Sequence, residues 1–169
     1  NYYAAVRRAR TNLAIRRRLA PLVQRHRRPL KLLNSFLLSM PGTPTLYYGD
    51  EIGMGDNIYL GDRDGVRTPM QWSIDRNGGF SRADPASLVL PPIMDPQYGY
   101  QSVNVETQAG HPHSLLNWTP RLLAVLKPHQ AFGPCRPIML SPSHRRELPY
   151  TRESTDTQGT TPTTLSVTN

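Results

Sequence analysis

The stretch from Pro41 to Trp72, PGTPTLYYGDEIGMGDNIYLGDRDGVRTPMQW, constrains this chain more than any other. Thr45, Leu46, Tyr47 and Tyr48 form a short β-prone run, with Pro44 tolerated only at its first position. Gly49, Gly53 and Gly55 then interrupt any regular pattern, as happens where a chain leaves a strand through conformations open to glycine. Asp50, Glu51, Asp56, Asp62, Arg63, Asp64 and Arg67 follow, a density of charge that no packed interior accepts. Charged groups gathered past the end of a strand are where α/β barrels place their active sites. The stretch therefore reads as a buried strand opening into a functional loop.

The segment before it supports an α/β organisation. Leu30, Leu33, Phe36, Leu37 and Met40 recur at three- and four-residue spacing, which predicts a helix over 23–40 with those residues on its buried face. Pro41 and Gly42 stop that helix. Residues 3–20 predict an earlier, strongly basic helix. After the strand, residues 49–113 predict a long ordered loop held by Tyr59, Trp72, Phe80, Tyr98 and Tyr100. A further helix is expected over 114–129 on Leu115, Leu116, Leu122, Leu123 and Leu126, with Pro120 fitting only if it starts near Thr119. Short β-like runs at 138–140, 148–152 and 164–167 predict the first strands of a separate small β domain.

Composition bears on completeness and partners. Seventeen prolines and 3 phenylalanines among 169 residues are poor material for a dense core. The chain begins at Asn1 and ends within a β-like run, and we expect it to be a piece of a larger protein. The net charge of +8 is uneven: 10 of the 20 basic residues fall between Arg7 and Lys31, and no acidic residue precedes Asp50. Such a block could meet nucleic acid or an acidic partner. Its basic residues alternate with Ala, Leu, Ile and Val and bring no aromatic stacking platform, which favours a solvated helix surface. No nucleic-acid or membrane role is expected. A single cysteine, Cys135, excludes an internal disulfide framework and suits a cytoplasmic setting.

The motifs resemble the alpha-amylase family of glycoside hydrolases. PGTPTLYYGDEIGM resembles that family's eighth barrel strand and the turn leaving it. GDRDGVRTPMQW is similar to a loop shared by several of its branches, oligo-1,6-glucosidases and sucrose isomerases included. NLAIRRRLAPL at 12–22, GFSRADP at 79–85, LPPIMDPQYGYQSVNVE at 90–106 and SLLNWT at 114–119 narrow the resemblance to the branch that interconverts maltose and trehalose. The resemblance implies an α/β architecture: residues 1–130 as the C-terminal part of a (β/α)8 barrel, and 131–169 as the truncated start of a β-sandwich domain. It implies no cofactor, and leaves homo-oligomeric assembly of the parent open.

The resemblance also implies a retaining reaction, which needs two carboxylates about 5–5.5 Å apart. None of the 12 acidic residues matches the family's catalytic motifs, so no catalytic residue is assigned and the isolated chain is expected to be inactive. The resemblance assigns substrate contact to Arg67 alone, where a fixed guanidinium fork suits adjacent sugar hydroxyls. The alternative is a salt bridge from Arg67 to Asp62 or Asp64 that shapes the loop. Glu51 is expected to accept backbone N–H bonds at the strand's end, and Gln71 and Trp72 to anchor the loop. Asp62-Arg-Asp64-Gly65 lacks the later ligands of a calcium loop, and the 5 histidines have no metal-ligand spacing. No metal is expected. Asn117-Trp-Thr119 fits a glycosylation acceptor but falls in a predicted helix. Two other readings stay open: a non-enzymatic gene remnant, and an interaction module binding an acidic partner through 7–31.

Overall fold

A computed structural model describes residues 17–61, 63–129, 132, 137–142, 147–156 and 159–168. Most of the basic helix predicted over 3–20 lies outside them, as do Asp62 and Cys135. Two compact units divide the chain: one takes the described residues to His26 together with Leu46–Trp118, the other Arg27–Thr45 and the residues from Thr119 on.

In the first unit, a short helix α1 (Leu19–Leu22) ends in a left-handed turn. Gln24 has φ 52°, and its N–H reaches Pro21 O while Arg25 N–H reaches Ala20 O, the paired closure of a Schellman motif. Glycine is the usual residue there, which is why the sequence shows no stop signal at this point. The turn also explains why the next helix starts at Arg27 and not at 23 as predicted.

From Leu46 to Trp118 the chain is built on short 3-10 turns (Asp50–Ile52, Asp64–Val66, Arg76–Gly79, Pro85–Ser87) and one short helix, α3 (Val105–Ala109). The strand predicted at 44–48 is not formed. Residues 43–47 lie outside any ladder, and Leu46, Tyr47 and Tyr48 remain 37%, 41% and 39% exposed. A lone β-prone run lacks partners for its backbone groups, and no neighbouring strand supplies them among the described residues.

Ile52, Met54, Met70, Ile93 and Val103 make the core of this unit, with Tyr98, Val105 and Leu116 packed against it. The long loop is thus ordered, as expected. Its predicted anchors divide, however: Tyr98 packs on the core, whereas Tyr59, Trp72 and Phe80 are 91%, 50% and 52% exposed. Polar side chains close the loop instead. Asn104 caps α3 by accepting from Thr107 N–H at 2.7 Å, and Gln108 Nε2 donates to Ile52 O at 2.7 Å.

The second unit holds α2 (Arg27–Ser39) and a three-stranded antiparallel sheet of β1 (Pro137–Met139), β2 (Glu147–Asp156) and β3 (Gly159–Thr168) in the order β1-β2-β3. On α2 the buried stripe is Leu30, Asn34 and Leu38, one step round from the predicted face, and Leu33 and Leu37 are 39% and 40% exposed. The sheet decides that orientation. Tyr150 and Arg152 share one face of β2 by their period-two spacing, and both are essentially buried. Arg152 Nη1 donates to Ser39 O at 2.6 Å, the Tyr150 hydroxyl bonds Ser39 Oγ, and the Phe36 ring meets Tyr150 edge-on at 6.3 Å. The C-terminal strands follow the predicted runs, β1 shifted by one residue at the same length and β2 and β3 longer; Pro149 sits within β2, where its carbonyl still accepts from Leu140 N–H.

Helix α4 (Leu115–Leu126) begins at Leu115, so Pro120 lies inside it and not in its first turn. Proline cannot donate to the carbonyl four residues back, a defect worth about 3 kcal/mol in a helix interior. Of its predicted core residues, Leu115 and Leu126 are buried and Leu123 is 42% exposed.

Tyr150 is the most deeply buried aromatic residue of the second unit. Tyr150→Ala is expected to destabilise that unit by about 3–5 kcal/mol in urea unfolding, and Tyr150→Phe by about 1 kcal/mol, the worth of one hydrogen bond. Ile138→Ala, at an exposed position, should change stability by no more than about 0.5 kcal/mol.

Candidate functional site

The loop that carries Arg67 is organised by a different arginine. The Arg18 side chain is buried and lies between the loop's two ends. Its Nη1 donates to Tyr48 O at 2.5 Å and to Asp50 Oδ1 at 3.3 Å, and its Nη2 donates to Val66 O at 2.8 Å. The guanidinium sits 4.9 Å from the Tyr47 ring centroid and 4.8 Å from that of Tyr48, close enough for cation–π attraction to both. Gly49 permits the approach: it has φ 87°, and a Cβ there would lie 2.6 Å from Met54 Sδ and 3.3 Å from Arg18 Nη1.

Asp56 completes the assembly. Its Oδ2 accepts from Arg18 N–H at 2.7 Å and from Arg17 Nε at 3.0 Å, and its side chain is only 2% exposed. Charge-assisted bonds of this kind are short and strong because a full charge meets an oriented donor. Asp50, not Glu51, is the carboxylate held where the predicted strand ends. Successive residues of the 3-10 turn Asp50–Ile52 are rotated by about 120° from one another, and Arg18 approaches from the side of Asp50.

Burial raises the pKa of Asp50, Arg18 opposes the shift by charge and hydrogen bond, and the adjacent Glu51 adds to it. Burial prevails because the Arg18 guanidinium divides its hydrogen bonds between Asp50 and the carbonyls of Tyr48 and Val66. Burial likewise raises the pKa of the Tyr48 hydroxyl, again opposed by Arg18. That hydroxyl donates to Thr68 O at 2.8 Å.

Arg67 ends the 3-10 turn Asp64–Val66. Its Nη1 lies 3.7 Å from Asp64 Oδ1, with the two side chains 49% and 48% exposed. An exposed pair at that distance contributes at most about 1 kcal/mol and leaves the guanidinium open to solvent. Asp62, the other partner expected from the sequence, is outside the described residues. The carbonyls on either side of Arg67 are both clamped, Val66 O by Arg18 and Thr68 O by Tyr48. The backbone bearing Arg67 is therefore fixed while its side chain is not.

Gln71 anchors the loop as expected: it is buried, and its Nε2 donates to Tyr98 O at 3.0 Å and Val103 O at 2.5 Å. Trp72 does so only through its backbone, since its ring is half exposed. Beside the Asp56 cluster, Arg17, Asp56, Tyr59, Met94, Asp95 and Tyr98 line a cavity of about 360 Å³. Asn117 of the glycosylation-like triplet directs Nδ2 at the carbonyls of Gln108, Ala109 and His111, at 3.2, 3.1 and 2.9 Å, so its amide closes the end of α3.

Sequence reasoning missed Arg18, Tyr48 and Asp56 as the supports of Arg67. Arg16, Arg17 and Arg18 stand in an unbroken run, and nothing in their order marks which one turns inward.

Comparison with known proteins gives the chain its family and its relatives. The family described as alpha amylase, catalytic domain, matches residues 15–133. A trehalose synthase/amylase of Mycolicibacterium smegmatis is 55% identical over 157 residues, 93% of this chain and 26% of that protein. A trehalose synthase of Pimelobacter is 56% identical over 151 residues, 89% of this chain and 26% of that protein. The chain thus spans about a quarter of the length of these relatives. Among solved structures, a trehalulose synthase mutant superposes with a TM-score of 0.62 at 25% identity, covering 75% of this chain and 28% of that one. An isomaltulose synthase mutant of Erwinia rhapontici superposes at 0.60 and 24%, covering 73% and 27%.

Two expectations follow from the Arg18 cluster. Arg18→Met is expected to cost about 3 kcal/mol in urea unfolding, because it leaves the partly buried Asp50 carboxylate and the carbonyls of Tyr48 and Val66 without their donor. For Asp50 the folded-state pKa lies above the unfolded one, so the stability it contributes is present below the ordinary carboxylate pKa. That contribution is lost as pH rises through the raised value. Asp50→Asn should remove this loss, so its stability relative to the parent should improve between pH 4 and pH 7. A pH series of urea midpoints checks the sign.

Proposed function

This chain belongs to the alpha-amylase catalytic-domain family, and from that premise we propose that it forms part of an enzyme interconverting maltose and trehalose. In this reading residues 1–130 are the last part of a (β/α)8 barrel with the loop that leaves it, and 131–169 begin a β-sandwich domain. The single observation that carries the reading is the identity of 53–56% to trehalose synthases from three genera over about nine-tenths of the chain.

The proposed reaction is an intramolecular transfer that needs no cofactor. An enzyme carboxylate attacks the anomeric carbon of the non-reducing glucose of maltose as the α-1,4 bond breaks, and an acid protonates the departing oxygen. The released glucose stays bound and turns. Its anomeric hydroxyl then attacks the glucosyl ester and gives up its proton to the same acid/base group, forming the α,α-1,1 bond. The acidic residues of this chain do not match the motifs of that carboxylate pair, so the 169 residues alone are expected to convert no maltose.

Arg67 is the residue we assign to substrate. Its clamped backbone and solvent-open guanidinium suit a group that must meet sugar hydroxyls at a fixed place, with Asp64 as a weak resting partner. The cytoplasmic setting remains our reading of the lone Cys135. The alternative basic module loses support from the contacts of Arg17, Arg18 and Arg25. The first two ion-pair with Asp56 and Asp50, and Arg25 donates to the carbonyls of Gln97 and Ser102.

The test is a chimera in which this chain replaces the matching stretch of the Pimelobacter trehalose synthase. Arg67→Ala is expected to lower kcat/KM for maltose and trehalose about ten- to hundredfold, the worth of one charge-assisted hydrogen bond, with the melting temperature nearly unchanged. Arg67→Lys should recover little, since an ammonium lacks the planar fork. A joint loss of stability and activity, both restored by lysine, would show that Arg67 only braces its loop against Asp62 or Asp64.

A further inference from the structure

The sequence holds one Asn–Gly pair, Asn77-Gly78, and the loop Trp72–Arg82 is closed around it. Trp72 N–H and Ser73 N–H both donate to Gly78 O, at 2.7 and 3.0 Å, and Gly78 N–H donates to Asp75 O at 2.9 Å. The buried Asn77 side chain donates from Nδ2 to Ser81 O and Ala83 O, both at 2.9 Å. Asn77, Gly78 and Gly79 run consecutively at φ 57°, 67° and 70°.

These demands leave little choice of residue. Position 77 must adopt a left-handed backbone and offer donors to two carbonyls. Asparagine does both, because its amide carries two N–H groups and its short side chain tolerates that conformation. Position 78 is left-handed as well, and a Cβ there would lie 3.2 Å from Tyr100 Cβ, so it is glycine. The turn therefore calls for a chemically labile pair. Asparagine is a thermolabile residue, and a following nitrogen with no side chain beside it can approach the carboxamide carbon closely.

We propose that Asn77 is a latent deamidation site, held unreactive by the closed loop and released when the loop opens. The step needs only water. Gly78 N gives up its proton to solvent and attacks Asn77 Cγ. The new N–C bond closes a five-membered succinimide as the Cγ–Nδ2 bond breaks, and the departing nitrogen takes up a proton and leaves as ammonia. Water then adds to either ring carbonyl, opens the ring and leaves aspartate or isoaspartate at position 77.

The closed loop obstructs each stage. At ψ 26° the Gly78 nitrogen is turned to the far side of the Cα–C bond from the Asn77 side chain. Its N–H is committed to Asp75 O, and burial of Gly78 keeps solvent base away. The two bonds from Nδ2 stop the carboxamide from turning to meet it. The products work the other way. Aspartate has no donor and sets a charge against the carbonyls of Ser81 and Ala83. Isoaspartate lengthens the main chain by one carbon and displaces Gly78 O from Trp72 and Ser73. Either product makes a transient opening permanent. The stem is held separately, by Val105 N–H and Glu106 N–H on Gln71 O and Trp72 O, which confines the opening to the loop.

Incubation of the full chain at mildly alkaline pH tests the proposal. Peptide mass mapping follows the amide-to-acid change, and an isoaspartyl carboxyl methyltransferase with labelled S-adenosylmethionine counts isoaspartate. The free peptide DRNGGFSR, residues 75–82, is the unguarded reference. Loop opening is fast beside deamidation, so the rate in the chain is the peptide's rate scaled by the open fraction. Asn77 in the folded chain is expected to react at least about tenfold more slowly than in the peptide, and at the peptide's rate when both are in denaturing urea. Gly79→Ala, which puts a Cβ 2.5 Å from Ser73 Oγ, should bring the folded chain to within about threefold of a peptide carrying the same change. Asn34, buried on α2 and followed by Ser35, reports global unfolding and should stay protected in that variant. Asn77→Asp mimics one product, and trypsin should cut it after Arg82 about tenfold faster than it cuts the parent.

Equal rates in the folded chain and the peptide overturn the proposal, as does protection that persists in urea. Reaction at another asparagine ahead of Asn77 overturns the choice of site. Loss of protection at Asn34 together with Asn77 in Gly79→Ala would assign the release to global unfolding and not to this loop. Parental resistance to trypsin in Asn77→Asp would show that the loop recloses, and so would end the claim that the change is permanent.

Discussion

The described part of the first unit depends on one buried charge. Arg18 brings together a turn at Tyr48–Asp50 and a turn at Val66, 18 residues further along, by donating to Tyr48 O, Asp50 and Val66 O and by lying against two tyrosine rings. A buried guanidinium is tolerable only when its donors meet acceptors in a fixed geometry. That requirement works in reverse as well. Once Arg18 is inside, the carbonyls it binds cannot move without exposing its charge to an apolar setting. The segment between them is confined, although its described residues contain no strand and only the short 3-10 turns Asp50–Ile52 and Asp64–Val66.

The same economy recurs through the rest of the unit with neutral groups. A loop of this length has many backbone carbonyls and no ladder to take them up. Gln71 serves Tyr98 and Val103, Asn77 serves Ser81 and Ala83, Gln108 serves Ile52, and Asn117 serves the end of α3. Each carboxamide joins places distant in the chain or closes a turn. The apolar cluster of Ile52, Met54, Met70, Ile93 and Val103 supplies the driving force, and the carboxamides supply the specificity. Rigid loops of this kind are where a protein can fix functional groups without a helix or strand beneath them. Arg67 stands on such fixed backbone with its side chain about half exposed.

In the second unit the ordering principle is a sheet face. Tyr150 and Arg152, two residues apart on β2, reach Ser39 at the end of α2, and this contact sets which side of the helix is covered. Leu33 and Leu37, on the periodic face, stay partly exposed as a consequence. Helical spacing defines a stripe; only the partner decides which of two adjoining stripes is used.

The sequence by itself determined the kinds of local structure and the family. Helix periodicity gave α2 to within a few residues, β-like runs gave all three C-terminal strands, and the PGTPTLYYGDEIGM and RTPMQW segments gave the alpha-amylase resemblance. Gln71 as a loop anchor was legible too, because a polar residue between Met70 and Trp72 has few other uses. The tertiary structure alone decided that Thr45–Tyr48 forms no strand, that Gln24 ends α1 in place of a glycine, and that Pro120 lies within α4. It also decided that Arg18 turns inward from a run of three arginines, and that Asp50 and Asp56, out of a dozen carboxylates, receive its hydrogen bonds. The reason is common to all of these. Local propensity is carried by a residue and its neighbours, whereas the cost of an unpaired backbone group or a buried charge depends on what the distant chain brings to meet it.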